Sequence, residues 1–198
     1  MVAYTTKLKT TLVGNTSTGK TSIVLRLLRN EFGVTDSTIG ASFFTLDFND
    51  VRYEIWDTAG GERFLGLAPM YYRGSNIVIM VYDLSNLSTI ERLRTYFDMV
   101  ENTLHNVPRI IIVGNKLDLI SEKEFLDLKV SIPKKIKSMT RETISDFIYT
   151  SAKNGDGMND LRKALVNNNN NILKQSANKD NHIIELKPIP IIDDKCSC

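Results

Sequence analysis

Short apolar runs alternate along this chain with segments in which apolar side chains recur every three or four residues. The apolar runs predict six strands, at 4–13, 42–48, 51–56, 77–82, 110–113 and 147–149. The helical spacing predicts helices at 20–29, 88–105 and 158–173, with one further short helix before residue 77. Asn49-Asp50 is a turn signal between the second and third strands. This order predicts an α/β fold with a mostly parallel six-stranded sheet, one antiparallel hairpin and helices on both faces.

The composition is that of one compact domain followed by a tail. The chain has 198 residues, of which 42% are hydrophobic and 24% charged, as in ordinary globular proteins. Residues 1–173 are predicted to form the domain, and residues 174–198 a flexible tether. The asparagine run at 167–171 is the fraying end of the last helix, the start of the tail, or compositional drift without a role.

Charge and hydropathy argue against several classes of protein. A net charge of +2 lacks the concentrated basic face of a nucleic-acid binder, so no nucleic-acid partner is expected. No run approaches the roughly 20 apolar residues of a membrane-spanning helix. Residues 1–9 lack the apolar centre of a signal peptide, so the chain is expected to stay in the cytosol. The two cysteines, Cys196 and Cys198, are both near the C-terminus and cannot form a disulfide framework for the domain.

Residues 14–21, GNTSTGKT, match the phosphate-binding pattern G-x-x-x-x-G-K-[ST] between a predicted strand and a predicted helix. Backbone N–H groups of such a loop point at phosphate oxygens, and the helix N-terminus adds the positive end of its dipole. Lys20 would reach the outer phosphates, and the Thr21 hydroxyl would bind Mg²⁺. A glycine-containing turn that matches by chance is the alternative, which the flanking elements disfavour. The nucleotide-binding candidates here are Gly14, Asn15, Thr16, Ser17, Thr18, Gly19, Lys20, Thr21 and Ser22.

Asp57 and Gly60 follow the second strand of the predicted hairpin. A carboxylate at a strand end beside a phosphate-binding loop can hold Mg²⁺ through water. Gly60 can bring its N–H group to the terminal phosphate, because no side chain stands in the way. A strand-end aspartate alone is more often a turn residue, and the neighbouring loop favours the metal role.

Two further motifs predict a pocket for guanine. They are Asn115, Lys116 and Asp118 after one strand, and Ser151, Ala152 and Lys153 after the next. The Asp118 carboxylate can accept hydrogen bonds from N1–H and the 2-amino group of guanine, and adenine offers neither donor. A site built around such groups rejects the wrong base by about 10⁴ or more, because its carboxylate would lie unpaired. Each tripeptide is a weak signal alone, and their order at successive strand ends makes them strong.

With these motifs in order, the sequence resembles the Ras superfamily of small GTPases, and within it the Rab family, over about residues 7–165. The Rab-like segments are IGASF at 39–43, WDTAG at 56–60, ERF at 62–64 and YYRG at 71–74. IGASF and LAPM at 67–70 most resemble the early-endosomal branch. The resemblance implies a P-loop NTPase small G domain that binds GTP or GDP together with Mg²⁺.

The resemblance also assigns roles to residues outside the motifs. It makes Thr38 a Mg²⁺ ligand of the first switch, whose side chain and backbone report the third phosphate. Phe43, Trp56 and Tyr71 would form the aromatic patch that effectors recognise, and Phe32 would pack edge-on against guanine. Without the resemblance, these aromatic residues would be assigned to the core.

The end of the tail, Cys196-Ser197-Cys198, resembles the doubly prenylated terminus of Rabs. Two lipid chains make membrane anchoring stable, whereas one holds a protein only marginally. The alternative is a pair of unmodified thiols. The resemblance further implies four kinds of partner: effectors, an exchange factor, a GTPase-activating protein, and a prenylation escort or dissociation inhibitor. It places the protein on the cytoplasmic face of endosomal-type membranes, cycling with the cytosol.

Three departures from the family concern catalysis. Gly61 stands where the family usually has the glutamine that orients the attacking water, and it has no side chain to do so. Thr16 replaces a common serine near the γ-phosphate and adds a methyl group. The segment between Phe32 and Thr38 is one residue shorter than in typical Rabs.

The sequence therefore predicts a GTP/GDP switch for membrane trafficking, a small GTPase in which Lys20 stabilises charge and turnover is slow. The alternative is a largely GTP-locked scaffold for effectors with little hydrolysis. A small-molecule kinase is a poor third reading, because no arginine-rich lid is present and the NKLD segment at 115–118 would have no role.

Overall fold

The computed structural model describes residues 6–61, 66, 68–103 and 108–167. The strands are β1 (Thr6–Gly14), β2 (Ala41–Phe48), β3 (Val51–Thr58), β4 (Ile77–Asp83), β5 (Arg109–Asn115) and β6 (Ile144–Tyr149). The helices are α1 (Lys20–Arg29), α2 (Ala68–Tyr72), α3 (Ser88–Glu91), α4 (Leu93–Thr103), α5 (Glu122–Lys137) and α6 (Met158–Val166), with a 3₁₀ turn at Leu117–Leu119. None of the helices in these ranges has the length and apolarity that crossing a bilayer requires.

The strands form one six-stranded sheet in the order β2-β3-β1-β4-β5-β6. The β2–β3 hairpin is antiparallel, and every other neighbouring pair is parallel. Asn49 and Asp50 close the hairpin with positive φ angles of 50° and 58°, the left-handed conformation that tight hairpin turns need. The predicted fold class is therefore confirmed.

The sheet is apolar on both faces because its central strands are covered on both sides. Val13, Met80 and Ile112 are in register across β1, β4 and β5, and their side chains join a cluster with Phe97 of α4 and Ile132 of α5. The positions one residue earlier point to the opposite face, since side chains alternate along a strand. Helices α1 and α6 contact each other and the strands β1, β3 and β6.

Several predicted boundaries differ from the structure. The predicted helix 88–105 is divided at Arg92 into α3 and α4. The last helix, predicted to run to residue 173, ends at Val166, where Asn167 adopts φ −55° and ψ 135°. Helix α5 was not predicted, although Ser121 caps it by accepting a hydrogen bond from the Glu124 amide at 3.2 Å.

Candidate functional site

A cavity of about 450 Å³ lies where the C-terminal ends of the parallel strands meet the loops that follow them. Open α/β sheets bind ligands at this edge. The residues that line the cavity come from five segments of the chain: Thr16, Ser17, Gly19, Lys20, Thr21, Ser22, Phe32, Thr35, Asp36, Ser37, Thr38, Thr58, Gly60, Gly61, Asn115, Lys116, Asp118, Leu119, Ala152 and Lys153. Residues of the phosphate-type motif and of the base-type motifs therefore line the same cavity, and we call the part beside Asp118, Ala152 and Lys153 its base end.

The loop between β1 and α1 enters the helix through a residue in the left-handed conformation. Gly19 precedes α1 with a φ of 89°, and a Cβ there would come within 2.3 Å of the Asn115 side chain. In the described part of the chain no side chain caps the N-terminus of α1. Its first N–H groups are therefore available to an anion, which the helix dipole favours.

Lys20 is the first residue of α1, and its side chain folds back against this loop and is 6% exposed. Its Nζ donates hydrogen bonds to the Gly14 carbonyl at 2.9 Å and the Asn15 carbonyl at 3.0 Å. Burial lowers the pKa of Lys20 to about 8, while the nearby Asp57 carboxylate opposes this change. Phosphate oxygens in the cavity would favour the charged form in the same way, so the ammonium group is matched to a polyanion.

A set of oxygen atoms beside Lys20 fits a Mg²⁺ ion. Asp57 Oδ2 accepts hydrogen bonds from the Thr21 hydroxyl at 2.6 Å and the Thr38 hydroxyl at 3.3 Å. Asp57 Oδ1 is buried and has no hydrogen-bond partner among the described residues. Burial raises the pKa of Asp57, and the bonds and charge of Thr21, Lys20 and Thr38 lower it in part. A nearby cation would compensate for this burial.

Hard oxygen donors are the ligands that Mg²⁺ prefers. No cluster of three or more His, Cys, Asp or Glu side chains occurs in the described ranges. Mg²⁺ does not require one, because it commonly combines one or two carboxylates with phosphate oxygens and water. Thr21, Thr38 and Asp57 are therefore the residues that would hold it.

Asn115 connects the two ends of the cavity. It is 2% exposed, and its Nδ2 donates to the Thr18 carbonyl at 2.9 Å. Its Oδ1 accepts from the Thr150 hydroxyl and the Ala152 amide, both at 3.1 Å. One buried amide thus joins the phosphate loop to the loop after β6.

We expect Asn115→Ala to lower the free energy of unfolding by about 3 kcal/mol or more, because it leaves three buried polar groups unpaired at roughly 1–3 kcal/mol each. Denaturant titration of the purified protein measures this. Asn102→Ala is the control, since Asn102 makes an exposed bond to the Asp98 carbonyl on α4. Equal stability losses in the two variants would contradict the connecting role of Asn115.

Asp118 is positioned by its neighbours at the other end of the cavity. Its side chain is 10% exposed, and its Oδ1 accepts a hydrogen bond from the Ser151 hydroxyl at 2.6 Å. Lys153 Nζ lies 4.0 Å from Oδ2. Lys116, in the left-handed conformation with φ 68°, pairs with Asp83 at 2.6 Å. The carboxylate is thus fixed at the cavity wall with acceptor capacity remaining.

Not every predicted residue lines the cavity. Gly14, Asn15, Thr18, Asp57 and Ser151 lie behind the lining and support it, as the bonds of Lys20, Asn115 and Asp118 show. Five lining residues were not predicted: Thr35, Asp36, Ser37, Thr58 and Leu119. Threonine, aspartate and serine in an irregular segment before Thr38 were the available signal for the first three.

Gly60 and Gly61 both line the cavity, and Gly60 lies against the backbone of Asn15 and Thr16. A Cβ on Gly60 would come within 2.5 Å of the Asn15 and Thr16 backbones, so this position accepts only glycine in the present arrangement. Gly61 offers the cavity no side chain. Residues 62–65 lie outside the described residues, as do Leu67, Cys196 and Cys198.

The three aromatic residues assigned to an effector patch lie together. Phe43 and Trp56 have ring centroids 5.2 Å apart, and Trp56 and Tyr71 have centroids 6.0 Å apart. Phe43 is 51% exposed, so the group is not a core cluster. Phe32 is 48% exposed and lines the cavity.

Comparison with known proteins agrees with this geometry. The sequence model of the Ras family matches residues 9–171. The "GTP-binding protein ypt5" of Schizosaccharomyces pombe is 33% identical over 96% of this chain and 93% of its own length. The "Putative ras-related protein Rab-5B" of Dictyostelium discoideum is 40% identical over 77% of this chain and 71% of its own length. The "Ras-related protein Rab5A" of Oryza sativa subsp. japonica is 38% identical over 77% of this chain and 75% of its own length. The chain belongs to the Ras family and, within it, to the Rab GTPases of the early-endosomal branch.

Proposed function

We propose that this Rab GTPase is a slow switch that binds GTP or GDP through the residues of the cavity and recruits effectors in the GTP state. One observation carries the proposal: residues of the phosphate-type motif and Asp118 of the predicted base pocket line the same cavity. The first-switch residues 35–38 line the same space. A ligand long enough to span both ends would therefore contact the segment that reports its third phosphate.

Binding is assigned to three groups of residues. Backbone N–H groups at 16–21 and the Lys20 ammonium would hold the phosphates. Thr21, Thr38 and Asp57 would hold Mg²⁺, which supplies charge neutralisation at the phosphate oxygens. Asp118 would accept from N1–H and the 2-amino group of guanine, and Ala152 and Lys153 would close the pocket over the base.

Hydrolysis is predicted to be slow because Gly61 provides no side chain to position the attacking water. Lys20 can stabilise negative charge on the phosphate oxygens, so the reaction retains one of its two requirements. Gly61 has no side chain to orient water, and among the described residues that line the cavity none obviously replaces the missing glutamine. The alternative function, a largely GTP-locked effector scaffold, follows from the same residue.

The nucleotide that copurifies with the protein tests the proposal. Denaturation and chromatography identify it. GTP would indicate slow turnover and favour the scaffold, whereas GDP would show that hydrolysis proceeds despite Gly61. A purified protein that retains adenine nucleotide, or that binds GTP no better than ATP, would contradict the proposal.

Partners follow from the surface and the family. The exposed aromatic patch of Phe43, Trp56 and Tyr71 is assigned to effectors. An exchange factor, a GTPase-activating protein and a prenylation escort or dissociation inhibitor are assigned by membership of the Rab family. Their sites would lie around the first switch, where the nucleotide state would change the surface.

Membrane attachment is assigned to two prenyl groups on Cys196 and Cys198, at the cytoplasmic face of endosomal-type membranes. We expect Cys196→Ser with Cys198→Ser to leave a folded, nucleotide-binding protein in the soluble fraction of cells. Either single change should give partial attachment, because one lipid chain is a marginal anchor. Cell fractionation measures the distribution.

Ser197→Ala, between the two cysteines, is the matched control and should remain at the membrane. Persistent membrane binding of the double cysteine variant would show that another part of the chain provides the anchor.

A further inference from the structure

Arg26 of α1 bonds to two segments that are far apart in the sequence. Its Nε donates to the Ala152 carbonyl at 2.7 Å, and its Nη2 donates to the Lys153 carbonyl at 2.6 Å. Its Nη1 donates to the carbonyl of Asn30 at 2.6 Å and to its side-chain oxygen at 3.3 Å. A single guanidinium group therefore joins the loop after β6 to the end of α1.

Both segments border the cavity. Ala152 and Lys153 line it, and Lys153 Nζ lies 4.0 Å from Asp118 Oδ2. Asn30 ends α1 in the left-handed conformation, with φ 56°, two residues before Phe32, which also lines the cavity. Arg26 itself does not line the cavity, so it would act on the base only through the segments it holds.

We propose that Arg26 is a positioning residue that keeps these two segments together, so that it slows nucleotide release and sustains the preference for guanine. The inference rests on the proposed function, because it takes Asp118 as the group that recognises guanine. Ser151 precedes the carbonyls that Arg26 holds and donates the 2.6 Å hydrogen bond that orients Asp118. Loosening the loop would therefore loosen the carboxylate.

The shape of the arginine side chain explains why this residue type is needed. The guanidinium group presents several N–H donors in one rigid plane, and here three of its nitrogens serve three residues. A lysine ammonium is a compact charge on a flexible stem and cannot reproduce that planar arrangement. We therefore expect Arg26→Lys to retain part of the function and Arg26→Met to lose it.

Arg162 of α6 provides a matched control. Its Nη2 donates to the Leu27 carbonyl of α1 at 2.7 Å. Like Arg26, it is therefore an arginine that bonds to the C-terminal part of this helix. Its bonds reach neither Asn30 nor the loop after β6. Arg162→Met should therefore change the packing of α6 against α1 without loosening the pocket.

The test measures two quantities in the full-length protein with Mg²⁺: the release rate of fluorescently labelled GDP, and the ratio of the affinities for GDP and IDP. IDP lacks the 2-amino group of GDP. We expect Arg26→Met to release GDP about ten- to a hundredfold faster, as the loss of hydrogen bonds from a charged donor predicts. The ratio of the affinity for GDP to the affinity for IDP should fall. Arg26→Lys should be intermediate, and Arg162→Met should match the natural protein in both quantities.

If Arg26→Met releases GDP at the natural rate and keeps the natural ratio of GDP to IDP affinity, the inference is overturned. If Arg26→Met and Arg162→Met accelerate GDP release equally and leave the affinity ratios unchanged, the inference is also overturned, because that result describes general loosening of α1. If Arg26→Met does not fold, native values in Arg26→Lys would overturn it. Failure of the proposed function is distinguishable, since the natural protein would then show no preference for GDP over IDP.

Discussion

Asp118→Asn is expected to lower the affinity for GDP by about 10⁴-fold and to make xanthine diphosphate the better ligand. An amide cannot accept hydrogen bonds from both N1–H and the 2-amino group of guanine, and its own NH₂ group would face the second donor. Xanthine carries an acceptor where guanine has the amino group, so the amide would be complementary to it.

The structure predicts that this change is local. The Ser151 hydroxyl can donate to the amide oxygen of the new side chain as it does to Asp118 Oδ1. The weak pairing with Lys153 Nζ, at 4.0 Å and with Lys153 61% exposed, contributes little to stability. The loss of GDP affinity should therefore come with a nearly native free energy of unfolding.

Equilibrium competition between GDP and xanthine diphosphate measures the expected reversal. Asp47→Asn is the control, since Asp47 pairs with Arg52 on the β2–β3 hairpin, away from the cavity. That variant should keep the natural preference. Unchanged GDP affinity in Asp118→Asn would show that the base does not bind at this end of the cavity.

Gly61→Gln is expected to accelerate GTP hydrolysis, because it supplies the group that orients the attacking water. Hydrolysis needs water in line with the γ-phosphorus, whose bond to the bridging oxygen breaks as the new bond forms. A well-placed group of this kind contributes about 10²–10⁴-fold. The natural protein should therefore be slower than a glutamine-bearing small GTPase, for which the unassisted rate is on the order of 10⁻⁴ per second.

Thr16 limits how much of this rate a single substitution recovers. It lines the cavity wall together with Gly60 and Gly61, and its backbone lies against Gly60. We attribute this limit to its methyl group, which serine lacks. We expect the double change Thr16→Ser with Gly61→Gln to exceed Gly61→Gln alone, with a larger gain when a GTPase-activating protein is present.

Single-turnover hydrolysis rates of the natural protein and the two variants, at matched Mg²⁺ concentration, test this expectation. GDP affinity serves as the control, because neither change touches the base end. A natural protein as fast as the double variant would show that Gly61 is not a defect. Another residue or a partner would then orient the water.

Helix α5 shows where the sequence pattern was insufficient. Pro133 lies inside it, and a proline normally interrupts a helix, which hides the spacing of Ile132 and Ile136. Those two side chains become buried only by packing into the cluster beneath β4 and β5. The serine and glutamate at 121 and 124 form the pattern of a helix start and were the signal that could have revealed it.

The sequence by itself predicted the fold class and the family, and it proposed a chemical role for each motif that lines the cavity. It could do so because each motif is a short, contiguous segment whose conformation is set locally by glycine, by strand ends and by the start of a helix. Lys20, Thr21, Asp57 and Asp118 were identifiable from their own neighbours.

Only the tertiary structure decided how those segments are held against one another. The bonds from Asn115 to Thr18 and from Arg26 to Lys153 join residues about a hundred positions apart. No periodicity or local motif encodes such a pairing, because it exists only after the sheet has brought the loops together. The same reason explains why residues 35–37, which have no regular structure, could be assigned to the cavity only from the fold.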